Sequence, residues 1–246
     1  MKSIALFVLL LTISSNAFAN ATVRLAIGDW APYTSATDVK GKLLETMVTE
    51  AFKLEGIDVK YEYFPWKRSY SLAKSGQFDG TFPWAKTEEH VKDFYIHKVF
   101  LIKDEGVFFH LKNFPFDWNV LEDLNKYSVG VTLGYKEESI YKKKGINAQA
   151  APSEDLNFKK LLAGRIDVYQ TSKIVGYATI NRIFTSKDAQ MFTNHPKIAV
   201  ENEFYILFSR NTSNGQDLAD KFDSGLKKLK ESGAYDMIIE KSGIRY

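Results

Sequence analysis

The chain of 246 residues contains no cysteine, which removes disulfides, thiolate nucleophiles and cysteine-based zinc sites together. Histidine is scarce: His90, His97, His110 and His195 have no metal-ligand spacing, and no metal centre is predicted. An excess of charge is lacking too. The 33 basic and 30 acidic residues leave +3, or +2 if Lys2 departs with a leader. The one basic run, Lys142-Lys143-Lys144, reads as a solvated helix face, so no nucleic-acid partner is predicted. No apolar run is long enough to span a bilayer. G-x-S-x-G, Walker and H-E-x-x-H patterns are absent as well, so neither catalytic residues nor a cofactor are predicted.

What is present is an ordinary globular balance, 45% apolar and 26% charged residues, in a length that fits one large domain or two lobes. Residues 1–19 read as a cleaved signal peptide. Lys2 supplies the charge, Ile4 to Ile13 the apolar stretch and Ala17-Phe18-Ala19 the cleavage site. This predicts a mature chain from Asn20 in the periplasm, with no lipid anchor because no cysteine follows.

The chain is organised around residues 61–96. Tyr61, Tyr63 and Phe64 predict a strand ended by Pro65, Arg68 to Ser75 a helix, and Phe78 to Phe82 a second strand broken by Pro83. Thr87 with Glu88 and Glu89 predicts a capped helix start. A strand–helix–strand of this length implies a parallel crossover, with ligands bound outside the carboxyl ends of the strands. The loops there hold Trp66, Lys67, Arg68, Trp84 and Lys86. Upstream, Val23, Leu25 and Ile27 predict a strand leading to a loop with Trp30 and Tyr33, and Lys42 to Leu54 an amphipathic helix. Downstream, a strand covers Glu105 to Leu111, and the irregular residues 112–127 look like a lobe boundary. Strand–helix units repeat over Tyr127–Phe184, where Ser153-Glu154-Asp155 caps a helix. Glu203 to Ser209 is a strand, and Leu218 to Lys230 an amphipathic helix. Trp30, Tyr33, Trp66, Trp84, Tyr135 and Tyr169 are candidate stacking walls, because indole and phenol pair an apolar face with one polar handle. Arg68 is a candidate clamp for an anionic group.

The strings Trp66-x-Arg68, Ser75-Gly76-x-x-Asp79-Gly80 and Thr87-x-x-His90-x-x-x-Phe94 resemble the family-3 extracellular solute-binding proteins, the periplasmic receptors of amino-acid ABC importers. The resemblance extends over residues 22–246. It implies a two-lobed α/β periplasmic-binding-protein type II fold. Residues 20–107 and 201–246 would form one lobe and 108–200 the other, joined by a two-strand hinge with the ligand cleft between. In that family an arginine clamps the ligand carboxylate and an aspartate its ammonium; the matching positions here are His90 and Ser172. Gly134-Tyr135 falls where the family offers a helix N-terminus to an anion. The resemblance implies a monomeric receptor, not an enzyme, that hands a small molecule to a membrane permease. A membrane sensor as the partner, or a cyclohexadienyl-dehydratase-like enzyme, are the alternatives.

Overall fold

The computed structural model describes residues 21–38 and 41–242; the expected leader and its cleavage site lie outside them. Three parallel strands begin the chain: β1 (Ala21–Ile27), with β2 (Ile57–Tyr63) on one side and β3 (Gly80–Ala85) on the other. They are linked by α1 (Leu43–Lys53) and α2 (Trp66–Lys74), and followed by α3 (Glu88–Asp93) and β4 (Phe94–Ile96). β5 (Ile102–Leu111) then leads to a second parallel set, β6 (Val129–Thr132), β7 (Ala148–Ala151) and β8 (Val168–Ser172), with α4 (Lys136–Lys143) and α5 (Glu154–Leu162) between them. After α6 (Lys173–Ile183), α7 (Ser186–Ala189) and β9 (Phe192–Asn194), β10 (Val200–Ser209) brings the chain back, and α8 (Gly215–Glu231) and α9 (Ala234–Ser242) finish it.

The strand order is β2-β1-β3-β10-β5-β8-β6-β7, with β4 on β10 and β9 on β5. The two parallel sets are thus joined by two antiparallel strands. Ile102–Gly106 of β5 pairs with Val200–Phe204 of β10, and beyond that stretch each strand belongs to a different set. Each lobe packs a core, and Val175 of α6 reaches into that of the first. In the first, α1 and α8 bury Leu44, Val48, Phe52, Leu218, Phe222 and Leu226 against β1 and β10, as the apolar spacing of both helices requires. The second buries Phe108, Val129 and Tyr141 on one face of its strands and Phe109, Phe158 and Tyr169 on the other.

Two local readings are corrected. Pro83 does not break its strand: β3 runs through it to Ala85, because the β3–β10 register shifts between Tyr205 and Leu207. A bulge of this kind is where a residue without an N–H fits in a sheet. Residues 112–127 are not a lobe boundary either. Phe116 and Trp118 are buried against Phe108, with centroids 5.5 and 5.0 Å away, and belong to the second lobe's core.

His97 is fully enclosed beside Phe222. Its Nε2 accepts from the Ile206 N–H at 2.9 Å and its Nδ1 donates to the Val99 carbonyl at 2.7 Å. Only the neutral ring satisfies both bonds. Asp223 lies 3.8 Å away, but its carboxylate is taken by the Lys98 and Val99 N–H groups. Desolvation accordingly pushes the imidazole down to about 3.

Gly225 sets the approach of α8 to α1: a Cβ there would lie 2.0 Å from the Ala51 carbonyl oxygen. On an open helix Gly→Ala gains about 1 kcal/mol. Here Gly225→Ala is expected to lose about 1–3 kcal/mol by forcing two backbones apart. A melting curve checks this, and a melting temperature equal to or above the parent's would refute the tight contact.

Candidate functional site

The carboxyl ends of both parallel sets point toward the β5–β10 pair, and the side chains there come from turns and first helical residues. After β1 the chain makes a tight turn in which the Trp30 N–H donates to the Thr34 carbonyl at 2.8 Å. The turn sets the Trp30 and Tyr33 rings 4.9 Å apart and Trp30 edge-on to Phe204 at 5.1 Å. From the second lobe come Tyr135, which precedes α4, Glu154, the first residue of α5, and Thr171 and Ser172 at the end of β8.

Two carboxylates tie these groups together. Glu154 Oε1 accepts from Tyr135 Oη at 3.1 Å, from Thr171 Oγ1 at 2.8 Å and, across the cleft, from Trp30 Nε1 at 3.4 Å. Asp104, on the β5 stretch paired with β10, accepts at one oxygen from Tyr33 Oη and from Ser172 Oγ, both at 2.6 Å. One donor belongs to each lobe. Burial drives both acids up, Asp104 to about 6 and Glu154 to about 7, against the pull of their hydrogen bonds. Lys136, in the first turn of α4, reaches across to Asn202 Oδ1 on β10.

A second group lines the first lobe. Trp84 lies edge-on to Trp66 at 5.6 Å and to Tyr70 at 5.4 Å, and its Nε1 donates to Thr81 Oγ1 at 3.0 Å. Trp66 covers Gly28 so closely that a Cβ there would lie 2.6 Å from the indole. His90 packs against Trp84 and Tyr70, and its Nδ1 donates to the Ala85 carbonyl at 2.7 Å. Phe204 pairs with Ala85 in register, so this group adjoins Trp30.

Of the residues singled out from the sequence, Trp30, Tyr33, Tyr135 and Ser172 therefore meet at the lobe junction, and Trp84 and His90 sit beside it. Trp84 lies within β3 and is partly packed, rather than standing free after a strand. Tyr169 is not a wall: its ring is fully buried against Phe158 and its hydroxyl bonds Thr132 Oγ1 at 2.7 Å. Arg68 is not on a cleft loop. α2 begins at Trp66, so Arg68 lies in its exposed first turn, with the guanidinium over Phe64 at 5.1 Å. The α4 N-terminus, expected as an anion seat, is occupied by the chain itself, since the Gly134 N–H donates to Glu138 Oε2 at 2.8 Å. Sequence reasoning missed Asp104, Thr171 and Asn202, and read Glu154 only as part of a cap. The signal available for Asp104 was a charged residue at the edge of a Val- and Phe-rich strand.

No family model matches the chain. A probable histidine-binding protein of Campylobacter jejuni subsp. jejuni is 24% identical over 236 residues, 91% of this chain and 86% of that protein. Among solved structures, a histidine kinase sensor domain with similarity to periplasmic binding proteins superposes with a TM-score of 0.76 at 18% identity, covering 89% of this chain and 95% of that one. An ancestral arginine-binding protein bound to arginine gives 0.74 at 22% identity, covering 90% and 97%. The chain thus has the two-lobed periplasmic-binding-protein fold, and its resemblance to amino-acid-binding solute receptors, first carried by motifs in residues 66–94, is matched over 91% of its length.

Proposed function

We propose that this protein is a periplasmic receptor without chemistry of its own, which captures a small amino-acid-like solute between residues 20–107 with 201–246 and residues 108–200, and passes it to an ABC importer. The observation that carries the reading is the convergence of both lobes on the β5–β10 pair, where Trp30 of the first reaches Glu154 of the second and Asp104 receives one hydroxyl from each. Two connecting strands and facing polar and aromatic walls suit capture by closure. The similar histidine- and arginine-binding proteins support the solute class.

The test is a melting-temperature screen of the mature protein with amino acids, short peptides, polyamines, dicarboxylates and sugars, followed by small-angle scattering with any hit. A ligand at ~100 times its dissociation constant adds roughly 2.7 kcal/mol, several degrees for a chain of this size. A rise accompanied by a smaller radius of gyration is the expected result. A hit that is consumed on incubation would replace the receptor reading with an enzymatic one.

A further inference from the structure

Asp104 and Glu154 are 3% and 8% exposed, and among the described residues neither has a lysine, arginine or histidine partner within 4.0 Å. Lys136 acts on Asp104 only at a distance and hydrogen-bonds Asn202, and Lys173 lies 3.8 Å from Glu105. Asp104 is also incompletely satisfied. Its Oδ1 takes both the Tyr33 and the Ser172 hydroxyls, while its Oδ2 is buried with no hydrogen-bond partner. A buried carboxylate without a counter-charge is costly to the fold, and native interiors rarely leave such an oxygen unmade. Glu154 meets only neutral donors, and two of them belong to the aromatic side chains of Trp30 and Tyr135, a ring type that attracts cations.

Resting on the receptor reading above, we propose that the captured solute carries a cationic nitrogen, an ammonium or guanidinium, and that Asp104 and Glu154 are the groups that hold it. The cation is then recognised from the connecting strand β5 and the start of α5, not from Ser172. Ser172 serves as a positioning residue: its hydroxyl also accepts the Val175 N–H at 3.2 Å, which fixes it at the start of α6 while it donates to Asp104. Asp104 completes its second oxygen on the ligand, and the two acids gain a directly contacting positive charge when the lobes close.

A matched probe series separates the charge from the rest of the solute. Titration calorimetry is run with L-lysine, L-arginine, cadaverine and agmatine, and with hexanoate, succinate and glucose as probes lacking a cation. The parent, Asp104→Asn, Glu154→Gln and the double variant are compared, each also followed by melting to verify folding. Binding confined to cationic probes, weakened roughly 30-fold or more by each variant, is the expected result. Retention of the decarboxylated amines would identify an amine receptor, and their loss an amino-acid receptor; both support the proposal. A cationic ligand whose affinity survives the double variant overturns the assignment of these residues. A ligand without a cation overturns the proposal and leaves the receptor reading standing, whereas no binding by any probe class counts against both.

Discussion

At pH 8 the ligand-free Glu154→Gln protein is expected to be about 3 kcal/mol more stable than the parent. The reason lies in the direction of the Glu154 shift. Burial pushes its carboxyl up from the ordinary 4.5 to about 7 in the fold. A group whose folded value is raised contributes stability that is fully present below its unfolded value and is lost as pH rises through the folded value. Above pH 7 the parent therefore carries an ionised, buried carboxylate that the amide variant lacks. The amide keeps an acceptor oxygen for Trp30, Tyr135 and Thr171, so the hydrogen bonds that position α5 persist. Melting at pH 8 should rise by roughly 6–12 °C, and at pH 4 parent and variant should coincide. A variant less stable than the parent at pH 8 would show that the ionised form is already compensated in the empty cleft. A gain in stability joined to a loss of binding is the trade expected of a residue kept for its ligand rather than for the fold.

Combining Asp104→Asn with Glu154→Gln is expected to make the protein markedly more acid-labile than the parent. In the parent, both carboxyls take up protons more readily folded than unfolded, so acidification favours the fold through them. His97 acts in the opposite sense. Its folded value of about 3 lies below the ordinary 6.5, so its contribution is present above pH 6.5 and is lost as pH falls toward 3. Protonation would set an N–H at Nε2 against the Ile206 N–H that it now accepts. With the two acids neutralised by mutation their offset to His97 is gone, and the double variant should lose about 3 kcal/mol between pH 7 and pH 4 through His97, with the lowered carboxyls of Asp93 and Glu55 acting in the same direction. Urea unfolding at the two pH values measures this directly. An unchanged midpoint would mean that His97 gains its proton without disturbing the β10 backbone.

Much of the architecture was legible because it is local. Thr87 accepts the His90 N–H and Ser153 the Leu156 N–H, as the cap patterns of both segments predicted. Leu218, Phe222, Leu226 and Leu229 bury one face of α8 as their spacing required. The junction was legible only as a region. Trp30, Tyr33, Tyr135 and Ser172 were found because aromatic rings near turns and a family position mark them. Asp104 was not, since its partners Tyr33 and Ser172 lie 71 and 68 residues away along the chain. The Trp30–Glu154 contact spans 124 residues, and no periodicity carries such a pairing. Arg68 and Tyr169 failed for the opposite reason. Each has the right chemistry for a cleft, but helix phase turns Arg68 to the surface, and β8 is buried on both faces, so Tyr169 lies in the core.

The strand order also dictates when each part of the molecule can be finished. β10 lies between β3 and β5, so Leu207 and Phe208 must be made before Thr81 and Gly80 find their partners. α8, which covers α1, comes later still. The second lobe is one uninterrupted stretch with its strands close in sequence, whereas the first stays open from its earliest strands until the last fifth of the chain arrives. Emerging amino end first, the polypeptide thus completes its later lobe before its earlier one, and the half-built first lobe must wait with α1's apolar face uncovered.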